Sequence, residues 1–344
     1  MAALRRVLLG LWLEIRVIPV LLWSFTAITL GTALAWRDGG GVSVAGYLTA
    51  VAVGVLLQGL VAHSVNEIAD WRSGTDGDPA PRVISGGSKV VASGLLDLRA
   101  LRLVGIAAAL AATVIGLVAA ATWGWVLALY GAAGLAGAVL YTLPPVRAAY
   151  RPFGGECIAF ACIWGCVTGA YVLQRGELSG AAALTGIAYA ASCVAMLMMH
   201  HYLDSGPDSR ARPPKTTTIV LLGRAGKRYC LVWASIAVAA TALQAAGDDG
   251  RFWLATALLC LALAVHASVD PADAASVTRG ELAVILLGMG AGLGTAALLA
   301  PALGLTLVAA ALLVALEMRL AGVAHRDLLE RRARMAPLGQ PERG

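Results

Sequence analysis

Apolar runs of about 20 residues, the length a helix needs to cross a bilayer, recur along the whole chain and are broken by short polar clusters. They predict helices near Val17–Trp36, Val42–Ala69, Leu98–Ala121, Gly124–Thr142, Gly155–Gln174, Ala181–Leu203, Arg228–Ala246, Phe252–Ala267, Leu282–Ala300 and Leu303–Leu320. Pro301 separates the last two, because proline inside a long apolar run marks a turn. Leu4–Ile15 predicts an interfacial helix leading into the first span. The run after Arg5 and Arg6 is broken by Glu14 and Arg16, and no small-residue cleavage pattern follows, so a cleavable signal is not expected. The expected fold is an all-α polytopic membrane protein, a bundle of nine or ten transmembrane helices around a central cavity.

Composition agrees. Of 344 residues, 59% are hydrophobic and 13% charged, against about 25% charged in a soluble domain. The six cysteines lie in or beside apolar segments without paired CxxC spacing, and they read as small buried hydrophobes rather than disulfides or metal ligands. The net charge of +6 could suggest nucleic acid, but its distribution points elsewhere. With ten spans and a cytoplasmic N-terminus, 23 of the 26 basic residues fall on the inner side, leaving Arg37, Arg175 and Arg251 outside. The positive-inside rule therefore favours an even number of spans and both termini in the cytoplasm of a multi-pass cell-membrane protein.

One pattern occurs twice. "HSVNEIAD" brings Asn66 and Asp70 to the inner end of the second span, and "MMHHYLD" brings His200 and Asp204 to the inner end of the sixth. Residues four apart share a helical face. A further aspartate follows each set, Asp76 and Asp208. The repetition suggests a duplicated four-helix unit, 17–145 and 146–268, with acidic clusters facing each other across a cavity. An interfacial helix (1–16), extra helices (281–320) and a basic cytoplasmic tail (321–344) complete one domain, 1–344.

A single juxtamembrane carboxylate is commonly just solvated. Asn66 and Asp70 lie at or inside the helix end, where an ionised group is costly and usually functional. Carboxylates in two facing sets are hard oxygen ligands suited to Mg²⁺, which keeps several waters and binds substrate phosphates. No EF-hand spacing is present. Zinc is disfavoured because His200 and His201 are adjacent and Cys193 lies deep in a helix. Arg82 and Lys89 follow the first acidic set, and Arg210, Arg212 and Lys215 follow the second. Metal-binding carboxylates and cations at a membrane surface suit a diphosphate on a lipid tail.

These motifs resemble the UbiA superfamily of intramembrane prenyltransferases. Asn66-x-x-x-Asp70-x-x-x-Gly74-Thr75-Asp76 is similar to its first aspartate-rich motif and "DSGPD" (Asp204 to Asp208) to its second; Lys215-Thr216 and "LLGR" (Leu221 to Arg224) follow in order. "RVISGG", "YTLPPVRAAYRPFGGE" and "TGAYVLQRGELS" are similar to the 1,4-dihydroxy-2-naphthoate prenyltransferase branch. The likeness runs from Arg16 to Gly226. It implies an enzyme that binds an isoprenyl diphosphate through Mg²⁺ and joins the prenyl chain to an aromatic acceptor, as in menaquinone biosynthesis.

Carried onto this chain, the resemblance implies Asn66, Asp70, Asp76, Asp204 and Asp208 as metal ligands, with Arg82, Lys89, Arg147, Arg151 and Lys215 around the diphosphate. Trp71, Tyr141, Tyr171 and Tyr202 are candidates to line the cavity and steady an allylic cation, and His200 is a candidate base or partner of a metal ligand. The chain departs from that branch at His200, Leu203 and Ala149 and at Pro213-Pro214, all of which bear on the acceptor. A terpene cyclase of the same superfamily would use the same diphosphate site without an acceptor. An ion-coupled transporter would carry charge near mid-helix, whereas nearly all the charge here lies at helix ends.

Overall fold

The computed structural model describes residues 2–75 and 87–335, and every regular element among them is helical. Helix α1 covers Ala2–Ile15. α2 covers residues 17–39, with a π-helical turn at Leu21–Phe25. α3 is Val44–Ser73, α4 Leu98–Trp123, α5 Val126–Leu140, α6 Gly154–Arg175 and α7 Gly180–Arg210. α8 is Gly226–Gly247, α9 Trp253–Ser268, α10 Ala274–Leu299 and α11 Leu305–Met335. Each expected span falls on one of α2 to α11. Nine stretches among the described residues are long and apolar enough to cross a membrane, with α1 and α2 running together as one; α5 is apolar but shorter.

The helix ends follow local chemistry. Ser43, Asp97 and Ser179 each accept a backbone N–H at the start of α3, α4 and α7, as side-chain caps do. Pro301 opens the short turn Pro301–Gly304 between α10 and α11.

α2 packs against α6, α7 and α10. Small residues allow this: a Cβ on Gly31 would run into the carbonyl of Val167 in α6, and one on Gly292 in α10 would meet Thr26. Pro19 has no N–H to offer the carbonyl of Ile15, and that carbonyl is met instead by His63 Nδ1 at 3.0 Å. Gln58 Nε2 donates to the carbonyl of Pro19 (3.1 Å) while its Oε1 accepts from Ser24 N (3.2 Å). These contacts bind α2 to the π-helical stretch Val55–Ala62 within α3, and π turns of this kind are frequent at functional sites.

Apolar faces left uncovered by protein, such as Leu103, Leu110 and Leu117 on α4 and Leu305 and Leu312 on α11, are what lipid would cover. At one end of the bundle, Arg37 pairs with Asp38 and Asp248 (both 2.6 Å), and Arg251 pairs with Asp249 (2.6 Å). Arg175 reaches the same end, against Gly39. The three basic residues expected outside therefore sit together.

Candidate active site

At the opposite end, α3 and α7 finish side by side. The link is a backbone hydrogen bond: Arg212 N, just past α7, donates to the carbonyl of Ser73 at 3.0 Å. The chain after α7 then folds back, with Lys215 N donating to the carbonyl of Asp208 at 3.0 Å. That turn carries the Lys215 ammonium between the two helix ends. It donates to Asp70 Oδ1 and Oδ2 at 3.3 and 3.2 Å and lies 3.8 Å from Asp208 Oδ1. Burial alone would lower the Lys215 pKa, but Asp70 and Asp208 outweigh it and hold the group above its ordinary range. Lys215 is therefore a fixed cation.

Tyr150 closes the group, its hydroxyl donating to Asp70 Oδ1 at 3.4 Å while its ring lies 5.6 Å from the Lys215 ammonium. Burial, with the nearby Asp70 charge, raises its pKa, so its proton stays on and remains available as a donor.

These residues stand at the mouth of a cavity of about 590 Å³ walled by α2, α3, α5, α6 and α7. His200, Asp204 and Asp208 are four residues apart on α7 and so share one face; all three line the cavity. His200 Nε2 is 3.4 Å from Asp204 Oδ2, and its Nδ1 is 3.5 Å from Glu281 Oε1 on α10. Deeper in, the wall turns to small and apolar residues, among them Leu57, Gly131, Gly134, Cys166 and Leu173.

The cavity wall gathers Asn66, Asp70, Lys89, Tyr141, His200, Asp204, Asp208 and Lys215 from the expected set. Asp76 and Arg82 lie outside the described residues. Five of the expected residues do not line the cavity. Trp71 follows Asp70 by one residue, about 100° round the helix, and is 42% exposed away from the cavity. Tyr202 is likewise turned about 200° from His200 and is buried in the core with Cys230. Tyr171 sits near the far end of α6, where its hydroxyl donates to Asp38 Oδ2 at 2.8 Å. Arg147 does not line the cavity and lies over the Tyr150 ring at 5.8 Å. Arg151 is exposed and donates to the carbonyl of Pro145 at 3.2 Å.

Other wall residues were missed: Arg16, His63 and, beside the wall, Tyr150 and Glu281. His63 was findable, since it lies three before Asn66 and seven before Asp70 on the same face. A glutamate near the start of an apolar helix, as at Glu281, was a comparable signal.

Among the described residues, no three His, Cys, Asp or Glu side chains come close enough to hold a metal unaided. The oxygen donors nevertheless fit Mg²⁺, which often takes only one or two carboxylates and fills its remaining positions with water and phosphate. Both Asp208 oxygens are buried without a hydrogen-bond partner, the Lys215 ammonium standing off at 3.8 Å, a cost that a closely bound cation would reduce.

Solved structures share this fold. They include the apo UbiA homologue from Aeropyrum pernix K1, 19% identical over 78% of this chain and 96% of that one, with a TM-score of 0.57. A UbiA homologue from Archaeoglobus fulgidus bound to GPP and Mg²⁺ is 14% identical over 83% and 99%, TM-score 0.57. A digeranylgeranylglyceryl phosphate synthase is 12% identical over 86% and 99%, TM-score 0.55. A search of curated protein sequences finds no significant match. The model of the UbiA prenyltransferase family matches residues 22–279, most of the chain and both acidic helix ends, and the protein belongs to that family.

Proposed function

We propose that the protein transfers a prenyl group from an isoprenyl diphosphate to an aromatic acceptor resembling 1,4-dihydroxy-2-naphthoate, in quinone or specialised-metabolite biosynthesis, with its active site facing the cytoplasm. The observation that carries the reading is the meeting of Asp70, Asp208 and Lys215 at the mouth of a deep apolar cavity. A charged headgroup and a long hydrocarbon tail need these two environments in this order. The Archaeoglobus homologue bound to GPP and Mg²⁺ supports the prenyl-diphosphate and Mg²⁺ part of this reading.

Asn66, Asp70, Asp204 and Asp208 would hold Mg²⁺, with Asp76 as a further candidate. When bound, Mg²⁺ supplies charge stabilisation to the departing diphosphate. The chain's own residues do the rest. Lys215 and Lys89 present cations to the leaving group as the allylic carbon–oxygen bond lengthens, when its negative charge is greatest. The Tyr150 hydroxyl, kept protonated, holds Asp70 in place. The apolar walls exclude water from the electron-poor carbon, leaving the acceptor ring as its nucleophile; as the new carbon–carbon bond forms, the attacked ring carbon gives up its proton to a base or its carboxylate as CO2. Tyr141 lines the cavity near the charged end and offers a ring face to developing positive charge. His200, between Asp204 and Glu281, is placed to orient the acceptor or the second acidic set.

The test is a purified-protein assay with dimethylallyl, geranyl, farnesyl and geranylgeranyl diphosphates, each with and without the dihydroxynaphthoate and with Mg²⁺ or EDTA. Prenylated acceptor should form only with Mg²⁺ and with both substrates present, and Asp70→Ala and Asp208→Ala should abolish it while the protein still inserts. No consumption of any diphosphate would overturn the reading. A cyclic hydrocarbon formed without acceptor would replace it with the cyclase.

A further inference from the structure

Lys89 reaches the cavity from a segment with no regular structure, and the way this segment is held points to a second set of functional residues. Its backbone lies in the left-handed region, φ +56°, which a residue with a side chain adopts only when its surroundings impose it. Its side chain is nevertheless 7% exposed and lines the cavity. Three parts of the fold converge on the adjoining residues. Glu67, next to Asn66 on α3, accepts Ser88 N at Oε2 (3.2 Å) and Val91 N at Oε1 (3.5 Å). Glu14, at the end of α1, accepts the Ser88 hydroxyl at Oε2 (2.7 Å). Downstream, the carbonyl of Lys89 accepts from both Ser93 N (2.9 Å) and Ser93 Oγ (2.8 Å). Glu14 is fully buried, and Glu67 and Ser88 are nearly so.

Two buried carboxylates beside a serine are expensive and are not needed to pack a turn, since apolar side chains would fill the same space. An ionised carboxylate accepts only, through two oxygens that can take two N–H groups at once. Glu67 uses both oxygens on the backbone either side of Lys89. Glu14 ties the same turn to the end of α1, two residues before the cavity-lining Arg16, whose own backbone breaks into the left-handed region at φ +52°. One network thus joins the α3 end that carries Asn66 and Asp70, the turn that carries Lys89, and the helix junction that carries Arg16.

We propose that Glu67, assisted by Glu14 through Ser88, is a positioning residue that fixes the turn at residues 87–91 so that Lys89 faces the diphosphate. The proposal rests on the prenyl-diphosphate reading above. Glu67 does not touch substrate; it acts through Lys89.

The test uses the full-length protein in detergent and compares Lys89→Met, Glu67→Ala, Glu67→Gln and the Glu67→Ala/Lys89→Met double variant. The readouts are the affinity for farnesyl thiodiphosphate, which resists ionisation, without acceptor; the donor KM and kcat; and thermal unfolding. Loss of one charge-assisted contact is expected to weaken thiodiphosphate binding and raise donor KM about tenfold in both Lys89→Met and Glu67→Ala. The double variant should be no weaker than Lys89→Met alone. Glu67→Gln, which keeps one acceptor oxygen, should recover part of the loss. Unchanged thiodiphosphate affinity in Glu67→Ala, or losses that multiply in the double variant, would overturn the proposal. Should Glu67→Ala fail to accumulate, Ser88→Ala, which removes the Glu14 link and a long contact from Val90 N (3.5 Å) but leaves Glu67 on the backbone, is judged by the same two criteria. A wild-type protein that binds no thiodiphosphate would instead remove the functional reading beneath it.

Discussion

Replacing Lys215 with methionine should expose how the two acidic helix ends are held together. At 3.2 Å from Asp70 and 3.8 Å from Asp208, a unit cation gains a gross attraction of about 5 and about 4 kcal/mol with an effective dielectric near 20. Desolvation of the ammonium offsets much of this. What methionine leaves behind is two buried carboxylates without their cation, and breaking such a pair from one side costs about 3–5 kcal/mol. The carboxylates border a cavity that water can enter, so the lower end, about 3 kcal/mol, is expected. The assay is a double-mutant cycle of Lys215→Met and Asp70→Asn, with unfolding by SDS titration in mixed micelles. The double variant should be more stable than Lys215→Met alone, with a coupling above about 2 kcal/mol. If it instead loses the sum of the two single effects, Lys215 and Asp70 do not pair in the folded protein. The pH dependence follows from sign. The Lys215 pKa is raised in the folded state, so its contribution is complete below the ordinary lysine value, about 10.4. It is lost only as pH rises through the higher folded value, so no change on its account is expected between neutral pH and about 10.

Three further outcomes can be checked with the same preparation. Tyr171→Phe removes a hydrogen bond to Asp38 at the end remote from the acidic residues, and should cost about 1 kcal/mol of stability with kcat unchanged. Gly31→Val places a branched side chain against the Val167 carbonyl and should destabilise the α2–α6 contact by about 3 kcal/mol or more, read as loss of folded protein in membranes. A Cβ on Gly131 meets nothing within 4 Å, and this residue lies ten positions, about 15 Å along α5, from Tyr141. Gly131→Phe should therefore reduce turnover of geranylgeranyl diphosphate far more than that of dimethylallyl diphosphate, and equal effects on both donors would show that the tail lies elsewhere.

The sequence alone determined the helices and which helix ends carry the acidic residues. Apolar length sets a span wherever it occurs, and a polar residue four before an aspartate shares its face whatever surrounds the helix. This is why Asn66, Asp70, His200, Asp204 and Asp208 were legible before any packing was known. The same local geometry, applied more strictly, would have turned Trp71 and Tyr202 away from the site and brought in His63. What only the tertiary structure decided is which distant segments touch. Lys215 lies between Asp70 and Asp208 because the chain after α7 folds back and hydrogen-bonds to Ser73, and no spacing in the sequence encodes that turn. Glu14 and Glu67 meet at Ser88 from positions 53 residues apart. Helical periodicity is local, whereas side-chain pairing across helices depends on how small residues such as Gly31 and Gly292 let the helices approach, and that is settled only when the whole bundle is packed.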